Sequence, residues 1–97
     1  MKKIRVLPPG EILLKEFIRP NGLTVYRVAK DSGVAQPTLQ LIVTRKRAIT
    51  ADTALRLGLY FGIDAQFWLN LQSEYDLRLA KQKSLARIEK EVHPLAA

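Results

Sequence analysis

Apolar residues along this chain recur at helical spacing and rarely alternate with polar ones. Strict two-residue alternation, the mark of a half-buried strand, does not persist, and the β-branched residues are scattered. The pattern predicts an all-α chain with five helical segments. Pro8, Pro9 and Gly10 form a breaker, and Glu11 then stands in a first helical turn, where a carboxylate complements the helix dipole. Ile12, Leu13, Phe17 and Ile18 give this first segment an apolar stripe, and the run "RPNG" stops it at residues 19–22.

The second segment begins at Thr24, an N-cap side chain. It turns Val25, Val28 and Ala29 inward and ends at Gly33, which is free to take positive φ. The third begins at Ala35 or Gln36. Pro37 falls in its first turn, where the missing N–H removes no helical bond, and Leu39, Ile42 and Val43 form its buried side. Thr50 caps the fourth segment, Asp52 sits in the first turn, and Gly62 is the stop. Ala54, Leu55, Leu57, Leu59 and Phe61 supply its apolar surface.

The fifth segment starts near Asp64 and carries Phe67, Trp68, Leu71 and Tyr75 at helical spacing. Of Phe67 and Trp68, one is assigned to the core and the other to a dimer contact. Phe17, Tyr60, Tyr75 and Leu79 are further candidates for helix packing or dimer contact. Beyond Lys81 the pattern thins to Leu85, Ile88 and Val92 among charges. Residues 81–97 are therefore an extension: a sixth helix, a continuation or a partly frayed end. With 97 residues, no internal repeat and no long linker, a single domain is expected.

The second and third segments are joined by only a few residues around Gly33 and Val34. Such a link suits two helices crossing steeply, the helix-turn-helix unit, here at about residues 24–44. Ala29 is small where the helices approach, Gly33 turns the chain, and Leu39 and Ile42 anchor the second helix. These four positions carry the pattern only as a set.

If the third segment is a recognition helix, Gln36, Pro37, Thr38, Gln40 and Leu41 face the major groove. Glutamine bonds adenine bidentately, threonine bonds several base edges or touches a thymine methyl, and leucine packs on such a methyl. Leu41 has the alternative of packing on the fourth helix. Arg45, Lys46 and Arg47 leave the helix where phosphates pass, and would supply affinity and salt dependence. Thr24, Val25, Tyr26 and Arg27 open the second helix, whose N-terminal N–H groups can bind a phosphate. Arg27 stands where a capping box has Glu or Gln, which weakens the cap and favours an anion nearby.

Charge agrees with this reading. Sixteen Lys and Arg against nine Asp and Glu leave a net charge of +7, an excess that points to a polyanionic partner. There is no cysteine, which excludes disulfides and thiolate metal sites. The basic start "MKKIRVLPPGEI" lacks the apolar run of a signal peptide. No window approaches the roughly 18 apolar residues of a membrane span. A cytoplasmic location is expected.

Three stretches carry a resemblance: "PPGEILLKEFIRPNGLTVYRVAKDSGV", "TRKRAITADTALRLGLYFG" and "FWLNLQSEYDLRLA". Together they resemble the VapI/HigA-type antitoxins of bacterial toxin–antitoxin modules, within the Xre and lambda-repressor-like helix-turn-helix group. The resemblance spans residues 8–80. It implies a five-helix lambda-repressor-like fold working as a homodimer on a palindromic double-stranded operator, repressing its own operon. It also implies binding to a HigB-type toxin, a RelE-like mRNA endonuclease, and no enzymatic activity or cofactor of its own. The protein would be nucleoid-associated when bound to its operator. Gln36, Thr38, Gln40, Arg45, Lys46 and Arg47 would be the DNA contacts. The chain departs from its relatives at Ala35, where many have Ser or Thr as N-cap, and at Arg45, where many have Gly.

The alternative within DNA binding is a stand-alone Xre-type repressor without a toxin partner. A different class is an interaction module that sets its positive surface against an acidic protein, insensitive to Gln36→Ala or Gln40→Ala. RNA binding lacks an aromatic-rich sheet or motif, and Glu89 and Glu91 argue against a membrane-surface helix. Glu11 and Glu16, or Glu74 and Asp76, are pairs of surface carboxylates among cations. The single histidine, His93, is expected to be exposed. Neither suggests catalysis or a metal site.

Overall fold

The computed structural model describes residues 7–96 and, among these, contains helices and no strand. The basic N-terminal run and the last residue of the extension lie outside the described residues. Helix α1 covers Pro9–Ile12 and widens without a break into a π-helical turn, Leu13–Ile18. Four more helices follow: α2 Val25–Ser32, α3 Gln36–Val43, α4 Ala51–Phe61 and α5 Ala65–Glu91.

Of residues 8–10 only Pro8, the extended N-cap, lies in front of α1. Pro9 and Gly10 are inside its first turn. Proline is accommodated there because the first N–H groups of a helix have no intrahelical partner. Glycine is required for another reason. A Cβ on Gly10 would overlap the Ile42 carbonyl oxygen and stand 3.0 Å from the Val43 Cα. The backbone of α1 therefore lies directly against the last turn of α3.

The π turn alters which residues reach the core. Leu13 and Ile18, five apart, are both buried, and the Arg19 N–H reaches back five residues to the Leu14 carbonyl at 3.0 Å. A wider coil brings i and i+5 onto one face, whereas an α-helix pairs i with i+3 or i+4. Phe17, between them, packs its ring 4.8 Å from Trp68 and 5.4 Å from Phe61. The first helix ends as its sequence requires: Asn21 Nδ2 donates to the Phe17 carbonyl at 2.7 Å, and Gly22 takes φ 67°.

The other helix ends follow the expected caps. Thr24 accepts from the Arg27 N–H at 3.1 Å, Thr50 from the Thr53 N–H at 3.4 Å, and Asp64 from the Gln66 N–H at 2.9 Å. Gly33 and Gly62 close α2 and α4 with φ of 80° and 71°. Ala35 provides no side-chain cap to α3.

The fully buried side chains are Leu13, Ile18, Val28, Leu39, Ile42, Leu57 and Trp68. Trp68, not Phe67, is the core member of that pair; Phe67 keeps 36% of its surface exposed. The Trp68 Nε1 is buried without a hydrogen-bond partner, a desolvation cost of roughly 1–3 kcal/mol set against burial of a large apolar ring. In α4, Ala54 and Leu57 are buried, while Leu55 and Leu59 face outward, Leu59 at 87% exposure.

Helix α5 passes through Lys81 unbroken to Glu91. At 1.5 Å per residue it is about 40 Å long. Trp68 is its single buried residue, so its second half projects from the body. The radius of gyration, 16.4 Å, exceeds the roughly 12.5 Å of a compact chain this size for the same reason. His93 is exposed beyond its end.

Gly10→Ala should destabilise the fold by roughly 1–3 kcal/mol, since α1 and α3 would have to separate. Urea unfolding followed by circular dichroism measures this; an unchanged midpoint would mean that the two backbones are free to part.

Candidate nucleic-acid interface

Helix α3 owes its orientation to the side that is hidden. Leu39, Ile42 and Val43 are buried against the body, and Ala29 and Val34 pack into the same core across the turn from α2. Gly33 takes the left-handed conformation the turn needs. A Cβ there would also stand 2.6 Å from the Arg56 Nη1, the group that reaches the Ser32 carbonyl at 3.5 Å.

What remains outside is one face. Pro37, Gln40, Leu41 and Thr44 are all exposed, at the i, i+3, i+4, i+7 spacing that marks a single helix side. Gln36 is exposed beside them. Leu41, at 38% exposure, is not covered by α4. Thr38 is half-buried, because it precedes the core residue Ile42 by one turn, and so lies at the edge of the free face.

The exit of α3 is tightly structured. Thr44 Oγ1 donates to the Gln40 carbonyl at 2.8 Å. The Arg45 N–H reaches the Ile42 carbonyl at 3.0 Å, and the Lys46 N–H reaches that of Leu41 at 2.8 Å. This closure places Arg45 in the left-handed region, φ 67°, the single non-glycine residue there among the described residues. Such a turn favours glycine; here the backbone adopts it with an arginine side chain.

Arg45, Lys46 and Arg47 are all exposed. Arg45 lies 3.8 Å from the Glu11 carboxylate of α1. Further along the loop, the Ile49 N–H donates to Gln72 Oε1 of α5 at 2.8 Å, and Gln72 in turn donates to Asp76 at 3.0 Å. A cleft of about 240 Å³ opens between Pro8, Gly10, Arg45, Arg47, Tyr75 and Asp76.

At the opening of α2, Thr24, Tyr26 and Arg27 are exposed. Arg27 does not wait for an outside anion: its Nε bonds Asp31 at 2.6 Å. That hydrogen bond, and then the Asp31 charge, raise the Arg27 pKa above its ordinary value. The positions marked in the sequence thus lie on or at the edge of α3, on its exit, or at the start of α2. Glu11 and Gln72, which brace the loop from α1 and α5, went unmarked. Gln72 is 23 residues from its partner and left no local signal.

Among the described residues no group of three His, Cys, Asp or Glu could hold a metal, and no helix is long and apolar enough to cross a membrane. A helix-turn-helix family profile matches residues 14–68. The chain belongs to the helix-turn-helix family. Over 74 residues it is 53% identical to the virulence-associated protein I of Dichelobacter nodosus, covering 76% of this chain and 68% of the relative. Its neighbours among solved structures include HigA antitoxins. The Pseudomonas aeruginosa antitoxin HigA, solved with the higBA promoter, superimposes with a TM-score of 0.90 at 44% identity. That match covers 95% of this chain and all of the other. The antitoxin GraA in complex with its operator gives 0.90 at 38% identity, covering all of this chain and 98% of that one.

In helix-turn-helix proteins the first helix of the pair supports and the second reads; here the Thr24 cap sets where the first, α2, begins. Thr24→Ala should cost about 1 kcal/mol of stability, measured by urea unfolding, and Thr24→Ser should recover most of it. Equal stability of all three proteins would mean that the cap contributes nothing to α2.

Proposed function

We propose that this chain is the antitoxin of a type II toxin–antitoxin module. It represses its own operon by sequence-specific DNA binding and neutralises a HigB-like, RelE-type mRNA endonuclease. The observation that carries the reading is the continuous exposed surface from Gln36 and Gln40, across Leu41 and Thr44, into three unburied cations. It occurs on a chain 44% identical to an antitoxin solved with its promoter. Gln36, Pro37, Thr38, Gln40 and Leu41 read base edges and methyl groups. Thr24, Tyr26, Arg27, Arg45, Lys46 and Arg47 meet the phosphates on either side. Two copies related by a twofold axis present two α3 helices about one DNA turn, roughly 34 Å, apart on a palindromic operator. Residues 24–44 form the reading unit of a single domain and residues 81–97 its extension. The protein works in the cytoplasm, on the nucleoid when it occupies its operator.

Growth of cells expressing the small reading frame beside this gene, with and without this chain, tests the antitoxin half. Arrest relieved by this protein, with co-purification of the two, is the expected result. Absence of toxicity and of a complex would leave an autonomous repressor.

The DNA half separates into two readouts. Neutralising Arg45 and Arg47 should weaken operator and scrambled DNA alike and flatten the salt dependence by about 0.9 in log–log slope per phosphate contact. An unaltered slope would remove them from the phosphates. Gln36→Ala or Gln40→Ala should instead lower discrimination between the two DNAs, by about 1–3 kcal/mol per lost bidentate contact. An unchanged ratio would place base reading on another face.

A further inference from the structure

We infer that Glu11, on a helix outside the reading unit, is a positioning residue for DNA binding that acts through Arg45. The inference rests on the DNA-binding reading above. A left-handed backbone disfavours any residue with a Cβ, by roughly 1–2 kcal/mol, and Arg45 adopts one at the exit of α3. A glycine would relieve that conformational cost, so the side chain must act on something. It reaches the Glu11 carboxylate, Nη1 to Oε1, at 3.8 Å.

Glu11 is a firm anchor for three reasons. Its side chain is only 13% exposed, and Lys15 stands 3.9 Å away on the next turn. It follows Gly10, whose backbone lies against the Ile42 carbonyl. The carboxylate is thereby held at a set place relative to the last turn of α3. The far side of the same loop is held by Gln72 at the Ile49 N–H. Lys46 and Arg47 hang between these two attachments, so the Glu11–Arg45 pair sets the direction in which the basic loop leaves the recognition helix.

The sign of one substitution distinguishes positioning from simple electrostatics. A carboxylate beside a DNA-binding surface repels phosphate, so removing its charge should tighten binding if repulsion were its whole effect. Positioning predicts the reverse. The assay is fluorescence anisotropy on a duplex taken from just upstream of this chain's own reading frame, beside a scrambled duplex, at several salt concentrations. Glu11→Gln should weaken binding to the first duplex by about two- to fivefold, the range of a partly exposed ion pair. In the Arg45→Ala background the same change should have no further effect.

Tighter binding of Glu11→Gln, or an equal loss in both backgrounds, overturns the inference. Arg45→Lys supplies a second handle that leaves Glu11 in place, so the test does not depend on the folding of one variant. A point charge without the guanidinium fork should lower affinity while keeping the salt slope, and unchanged affinity overturns the inference. A wild-type protein with no preference for the first duplex would overturn the DNA-binding reading itself, before any substitution is made.

Discussion

An isolated helix of eight residues does not persist in water, because so few hydrogen bonds cannot offset the nucleation of the first turn. Helix α3 is that short. It exists because Leu39, Ile42 and Val43 are buried, with Val28 and Ala29 of α2 and Leu57 of α4 in the same core. At roughly 1.5–3 kcal/mol for each large aliphatic side chain taken out of water, this burial outweighs any propensity or cap. The missing cap at Ala35 and the strained turn at Arg45 are tolerated for the same reason. All that α3 offers to solvent follows from the choice of its hidden side.

That choice also sets the division of labour among the helices. Helix α1 reaches the end of α3 backbone to backbone, through Gly10. Helix α5 reaches the loop after α3 through a side-chain amide, Gln72. The aromatic rings of Phe17, Phe61, Phe67 and Trp68 tie α1, α4 and α5 together on the side away from α3. A rigid body carries a short helix whose free face mixes Gln40 and Thr44 with Pro37 and Leu41, and the cations follow at its exit. The exposed face of α3 and the basic loop are thereby placed on adjacent segments, with no ion pair linking that face to the rest of the fold among the described residues.

The charge pattern of the surface is uneven in a useful way. Arg27 is matched by Asp31, Arg56 by Asp52 and Arg87 by Glu91, each one helical turn apart. Such pairs contribute little to stability where they are solvated, but they mute the field of those helices. The loop after α3 contains three cations and no acid of its own. Three of the sixteen cations thus stand together with no acid among them, which gives this part of the surface a local positive field.

Most of the helical organisation was legible in the sequence because its determinants are local. Thr24, Thr50 and Asp64 bond N–H groups two or three residues away. Gly33 and Gly62 adopt a conformation that other residues resist, and Leu39, Ile42 and Val43 follow the helical period. The membership of Gln36, Gln40, Arg45, Lys46 and Arg47 in one surface was legible for the same reason, since they lie within twelve residues on one helix and its exit. Other features needed the folded chain. Pro9 and Gly10 look like a breaker until the carbonyl of Ile42 comes to rest where a Cβ would be. The π turn at Leu13–Ile18 depends on which neighbours the apolar pairs meet. Trp68 and Phe67 are equivalent by pattern, and only packing against Phe17 and Phe61 buries one. Ile49 finds Gln72, 23 residues away, only by the placement of whole helices. Period and capping act over a few residues and can be read from the chain; close approach, burial and long-range pairing belong to the three-dimensional arrangement, where residues far apart in sequence compete for the same space.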